Sequence, residues 1–164
     1  MNVPWSLMLS VLALWPSLPS APPILLRSAF DAELAGRAVR RAARLLETPS
    51  CREILAEFED AHGRPLQAAL DGVGMTPAEY LRGHVIFHDG SGERGCAARG
   101  TLAYTTPRSR IVHLCPRFLA KELERPAFTQ VVVIHEMLHT LGLSEDPPSS
   151  REISDRVQRR CAAP

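Results

Sequence analysis

The run Val131-Val132-Val133-Ile134-His135-Glu136-Met137-Leu138-His139-Thr140-Leu141 limits what this sequence can fold into more than any other stretch. It contains no Lys, Arg or Asp, and its single carboxylate lies among aliphatic side chains. A helix so apolar all round belongs in the interior. A lone glutamate is costly to bury there unless it has a role. His135 and His139 are four residues apart, so their imidazoles share one helix face. At that spacing two ring nitrogens can grip one Zn²⁺ at about 2.0–2.1 Å each. Glu136 then projects beside the ion, where its carboxylate can take a proton from a water on the metal.

Gly142 lies three residues beyond the second histidine and extends the pattern to H-E-x-x-H-x-x-G. Glycine takes the left-handed conformation that ends a helix and turns the chain back. Over residues 126–146 the sequence resembles the zincin metalloproteases, whose active-site helix has the same uncharged surround. The metzincin branch places a third metal ligand, usually His or Asp, three residues after that glycine. Glu145 stands at this position, and no methionine follows Met137 to form the methionine turn of that branch. The gluzincin branch instead takes a glutamate from a following helix, which Glu152 could supply, and Asp146 is adjacent to Glu145. Ser149-Ser150-Arg151-Glu152 also reads as an S-x-x-E capping box, which would turn Glu152 back on its own helix start. The third ligand therefore stays open among Glu145, Glu152 and Asp146. The resemblance implies Zn²⁺ as cofactor, Glu136 as general base, and a peptide or protein as substrate. The rival reading is a zinc-stabilised extracellular binding or structural module that turns over nothing.

The N-terminus points to export. Trp5 to Trp15 is almost wholly apolar, then Pro16, Ser17, Pro19, Ser20, Ala21 and Pro22 break it. This is the pattern of a secretory signal peptide, too short to span a bilayer. The expected organisation is a signal peptide over residues 1–21 and one zincin-like metallopeptidase domain over 22–164. Cys51, Cys96, Cys115 and Cys161 all fall in the second part, an even number that suits disulfides in a secreted or periplasmic protein. Four cysteines allow three pairings. We favour Cys96 with Cys115, clipping the loop between two strands, and Cys51 with Cys161, tying down the C-terminal helix. A formal charge of +1 marks no nucleic-acid binder. No stable membrane association is expected once the leader is removed, and oligomeric state is not legible.

Punctuation organises the rest. Ser28 opens a helix that runs to about Glu47, with Arg37, Arg40, Arg41 and Arg44 on one face that reads as solvated. Ser50 and Glu53 suggest a capping box for a short helix through about Ala61, and Leu66 to Leu70 a further helical turn or two. Thr76-Pro77-Ala78-Glu79 is a stronger start, with a cap, a proline at the first position and a capping glutamate. Val85-Ile86-Phe87, Thr101 to Thr105 and Ile111 to Leu114 read as strands. The fold class expected is α+β: N-terminal helices, a short mostly antiparallel sheet, the metal-binding helix, then a C-terminal helix. The 101–115 hairpin is the edge that, by the resemblance, would hold extended substrate. His84, His88, His113 and Tyr104 have satisfactory readings as ordinary strand or surface residues and are not assigned to the site.

Overall fold

The computed structural model describes residues 21–161, so all of the expected leader except Ala21 lies outside the described residues. Within that span seven α-helices and a four-stranded mixed sheet form an α+β fold. Strand β1 (Ile24–Leu25) precedes helix α1 (Ala29–Leu46), whose first turn is capped by the Ser28 hydroxyl accepting from the Asp31 amide. The buried face of α1 is mostly small: Ala35, Ala38, Val39, Ala42 and Ala43 are fully enclosed. Small side chains let neighbouring helices approach closely. Helix α2 (Pro49–Arg52) and a 3₁₀ turn (Glu53–Ala56) follow, then α3 (Leu66–Val73) and α4 (Pro77–Gly83). Strands β2 (Ile86–Asp89), β3 (Ala103–Tyr104) and β4 (Ile111–Leu114) complete the sheet. The last helices are α5 (Pro116–Glu124), α6 (Pro126–Thr140) and α7 (Ser150–Cys161).

Helix α6 runs through the middle of the fold, packed against α1, α5, α7 and the β3–β4 pair. Val131, Val133, Ile134, Met137 and Leu138 are buried around it, as the all-round apolarity of its sequence requires. The Glu122 carboxylate on α5 accepts from Arg41 of α1 and from the Thr129 hydroxyl of α6, joining three helices. Arg41 is thus drawn out of the solvated arginine face expected for α1. Both favoured cysteine pairs form disulfides, Cys51–Cys161 and Cys96–Cys115, and no free cysteine remains among the described residues.

Several local expectations are corrected. The sheet is not mostly antiparallel: in the order β1-β2-β4-β3, β1–β2 and β2–β4 are parallel and only β3–β4 is antiparallel. The helical segment from α1 to α4 is long enough to return the backbone in the same direction, which a hairpin cannot do. The strand expected over Thr101 to Thr105 contracts to Ala103–Tyr104. Thr48, not Ser50, caps α2, because Pro49 takes the first helical position. Ser50 instead donates to the Arg160 carbonyl across the fold. The Thr76–Glu79 capping box is present as expected.

Candidate metal centre

Three elements assemble the site. Helix α6 presents His135, Glu136 and His139; the turn after it brings Glu145; and α7 lies behind His135. The reversal depends on Gly142 at φ 116°, with the amides of Gly142 and Leu143 bonded back to the carbonyls of His139 and Leu138. That closure satisfies carbonyls left free at the helix end. It also sends the backbone past the Nε2 edges of the two histidines, and Glu145 follows three residues later. His135 Nε2 and His139 Nε2 lie 3.0 Å apart, and Glu145 Oε1 is 3.2 Å from each.

Hydrogen bonds at the far ring nitrogens set the tautomers. His139 Nδ1 is 2.8 Å from the Leu143 carbonyl, which can only accept. Nδ1 therefore carries the proton, and in that tautomer Nε2 offers a lone pair. His135 Nδ1 is 2.9 Å from Ser154 Oγ, and donation to that hydroxyl leaves its Nε2 a lone pair as well. Burial first, and the neighbouring His139 second, push His135 down to about 4, so the ring is neutral near pH 7. Burial acts to raise Glu145, but the Ser150 hydroxyl and His135 outweigh it and hold the carboxyl below its ordinary value. With Nδ1 of His135 donating to Ser154, two imidazole lone pairs and a carboxylate oxygen converge on one point. A metal ion or a proton among the three atoms would make these contacts attractive. Ligand atoms about 2.0–2.1 Å from a tetrahedral ion stand about 3.3–3.4 Å apart. The observed triangle is tighter by a few tenths of an ångström, so the residues fit a small divalent ion. Imidazole and carboxylate donors suit zinc and other first-row metals alike.

Glu136 occupies a different position. Its side chain is buried, it lines the same cleft, and its Oε2 has no hydrogen-bond partner among the described residues. Burial, then the charge on Glu145, pushes this carboxyl up to about 8, while the Thr105 backbone amide acts the other way. A cation at the neighbouring triangle would favour the ionised form. The cleft has a volume of about 810 Å³. Tyr104, Ala103 and Thr105 form one wall, Phe128 and Val132 of α6 another, and Arg99 stands on the loop above.

Of the three candidates for third ligand, only Glu145 meets both histidines. Glu152 closes its capping box instead, accepting from the Ser149 amide and hydroxyl at 2.8 Å each. Asp146 is exposed and outside the group. Ser154, the Leu143 carbonyl and the Thr105 amide were not legible as site members, because each arrives by tertiary packing and carries no local pattern. Tyr104 lines the cleft with its ring stacked on His113 at 4.8 Å, while His88 and His113 meet edge to face on the sheet away from the metal group.

No family model, curated protein or solved structure matches the sequence. The fold and site together define an α+β protein whose His135-His139-Glu145 group could hold a metal ion. Its two disulfides favour an extracytoplasmic location. No helix among the described residues is long and apolar enough to cross a membrane.

Proposed function

We propose that the protein is a secreted zinc metallopeptidase of the zincin type, hydrolysing peptide bonds with Glu136 as general base. The observation that carries this reading is the pairing of roles on α6. Two histidines turn lone pairs to one point with Glu145, while Glu136, between them in sequence, keeps a buried carboxylate oxygen unpartnered in the same cleft. A purely structural metal site needs no such spare carboxylate, and closed structural sites normally supply a fourth protein ligand. Here three protein residues would hold the ion, and all three line the cleft.

His135, His139 and Glu145 would hold the ion, which when bound would polarise the scissile carbonyl and acidify a water beside it. Glu136 takes a proton from that water as its oxygen adds to the carbonyl carbon. The carboxyl then returns the proton to the leaving amine as the C–N bond breaks. Ser154 and the Leu143 carbonyl keep both rings turned in the productive sense. Strand β3 is an edge strand whose residues line the cleft, so an extended peptide can pair with it by main-chain hydrogen bonds.

The test is Glu136→Gln. The amide keeps the shape of the carboxylate but cannot accept the proton. Bound zinc should stay at the parental level while peptide-library cleavage falls by about 10²–10⁴-fold or more. Undiminished cleavage in this variant would exclude the mechanism. A zinc-loaded parent that cleaves nothing across a diverse library would favour the binding module.

A further inference from the structure

A second cavity, of about 320 Å³, lies at the C-terminal end of α6 and is separated from the metal cleft by the 105–110 turn. Pro107 of that turn lines the metal cleft, whereas Arg108 and Arg110 line the second cavity. Arg64 joins them from the segment before α3, so two distant parts of the sequence bring three guanidinium groups to one rim. Asp60 is the only carboxylate among the lining residues, and it is saturated. Its Oδ1 accepts the His62 and Arg64 amides at 2.8 and 3.1 Å. Its Oδ2 accepts Arg64 Nε and Nη2 and Arg108 Nη2 at 3.0, 2.8 and 3.0 Å.

Three cations against one anion leave a net positive rim. Asp60 also fixes two of the guanidiniums before any ligand arrives. Arg110 spends only its Nε, on the His84 carbonyl at 2.8 Å, and forms no ion pair among the described residues. The positive field is felt by its neighbours: after burial, Arg110 is the further cause that lowers His84. Opposite the rim, Pro65, Ala68, Ala69 and Val73 make an apolar wall. Val73 is 44% exposed, so part of this wall is open to a ligand.

Arg108 supplies an independent sign. It is the one non-glycine residue with positive φ among the described residues, at 67°. This conformation strains an arginine and suits glycine, and such strain concentrates where a side chain has work to do. Its amide donates to the His139 carbonyl at 2.9 Å, which holds the strained residue in place.

We propose that this cavity is a binding site for a carboxylate carried on a compact apolar body. The arginine rim takes the carboxylate in charge-assisted hydrogen bonds, and the Pro65–Val73 wall covers the apolar part. Such chemistry occurs in a free small acid and in the C-terminal residue of a peptide. The site does not depend on the peptidase reading, because its ligand contacts none of the metal-binding residues.

The experiment is a titration of the disulfide-bonded protein, followed by backbone amide chemical shifts. The probes are octanoate, hexylamine, inorganic phosphate, and N-acetyl-Ala-Ala-Ala-Leu as free acid and as C-terminal amide. Octanoate or the free-acid peptide should shift Ala68, Val73 and Leu141 in preference to cleft residues such as Ala103. Hexylamine, phosphate and the peptide amide should bind at least tenfold more weakly. Octanoate alone binding identifies a free acid; preference for the peptide acid identifies the C-terminal carboxylate of a peptide. Arg110→Gln should weaken the preferred probe at least tenfold. Arg108→Gly should do the same, and it suits the backbone at 108, so loss of fold is not the expected cause. The proposal is overturned if no carboxylate binds, if phosphate binds as well as the apolar acids, if shifts map to the metal cleft, or if both variants bind as the parent does.

Discussion

At the scale of single residues, Nδ1 of His135 and of His139 each has a defined partner, and that determines what the rings can do. Nδ1 of each is taken by a group the helix itself does not supply, Ser154 Oγ for His135 and the Leu143 carbonyl for His139. Outer hydrogen bonds of this kind fix the ring orientation and strengthen the imidazole as a ligand. Ser154→Ala removes one of them without touching the ligand group. Zinc affinity should fall about 10–100-fold, as measured by competition with a chelator, while the folded state persists. Ser154→Thr keeps the hydroxyl and should recover much of that loss. An alanine variant with parental zinc affinity would show that packing of α7 alone, and not the hydrogen bond, positions His135.

At the scale of elements, the decisive feature is how α6 ends. Gly142 turns the backbone at φ 116°, and a Cβ built there would lie 3.2 Å from Asp60 Cβ and 3.4 Å from Arg108 Nε. Gly142→Ala therefore combines an unfavourable backbone conformation with a contact to Asp60 Cβ tighter than ordinary packing. A loss of about 1–3 kcal/mol is expected in denaturant unfolding. Zinc affinity should fall with it, because the same turn delivers Leu143 and Glu145. A stable variant with weakened zinc would place the effect in the turn alone; full stability and full affinity together would refute the account. This turn was readable from H-E-x-x-H-x-x-G, because its conformation depends on glycine locally. So were the starts of α1 and α4, where Ser28 and Thr76 act on amides three residues away. Parallel pairing of β2 with β1 and β4 was not, since no local pattern distinguishes a parallel partner from an antiparallel one. Helix α5 also escaped notice. Its buried side, Phe118 and Glu122, mixes an aromatic with a carboxylate whose burial makes sense only beside Arg41 and Thr129.

At the scale of the whole molecule, the two disulfides hold different parts of the site. Cys51–Cys161 spans 110 residues and fastens the end of α7 to α2, where Ser50 also holds the Arg160 carbonyl. Helix α7 in turn carries Ser154 against His135 and Ser150 beside Glu145. Cys96–Cys115 spans only 19 residues and fixes the loop that ends in Arg99 and Gly100 over the cleft. In the loop-entropy account of cross-linking, a loop of about 100 residues contributes about 4.7 kcal/mol and one of about 15 residues about 3 kcal/mol. Replacing Cys51 and Cys161 with alanine should thus cost more stability than replacing Cys96 and Cys115. The two losses should also differ in kind. The first variant, studied below its lowered melting temperature, should bind zinc more weakly because α7 frays away from His135. The second should keep parental zinc affinity but lose its hold on substrate, raising KM more than it lowers kcat, because only the cleft loop is released. Paired measurement of unfolding, zinc competition and peptide turnover separates these outcomes. If zinc affinity falls equally in both variants, the metal centre depends on general rigidity and not on the anchoring of α7.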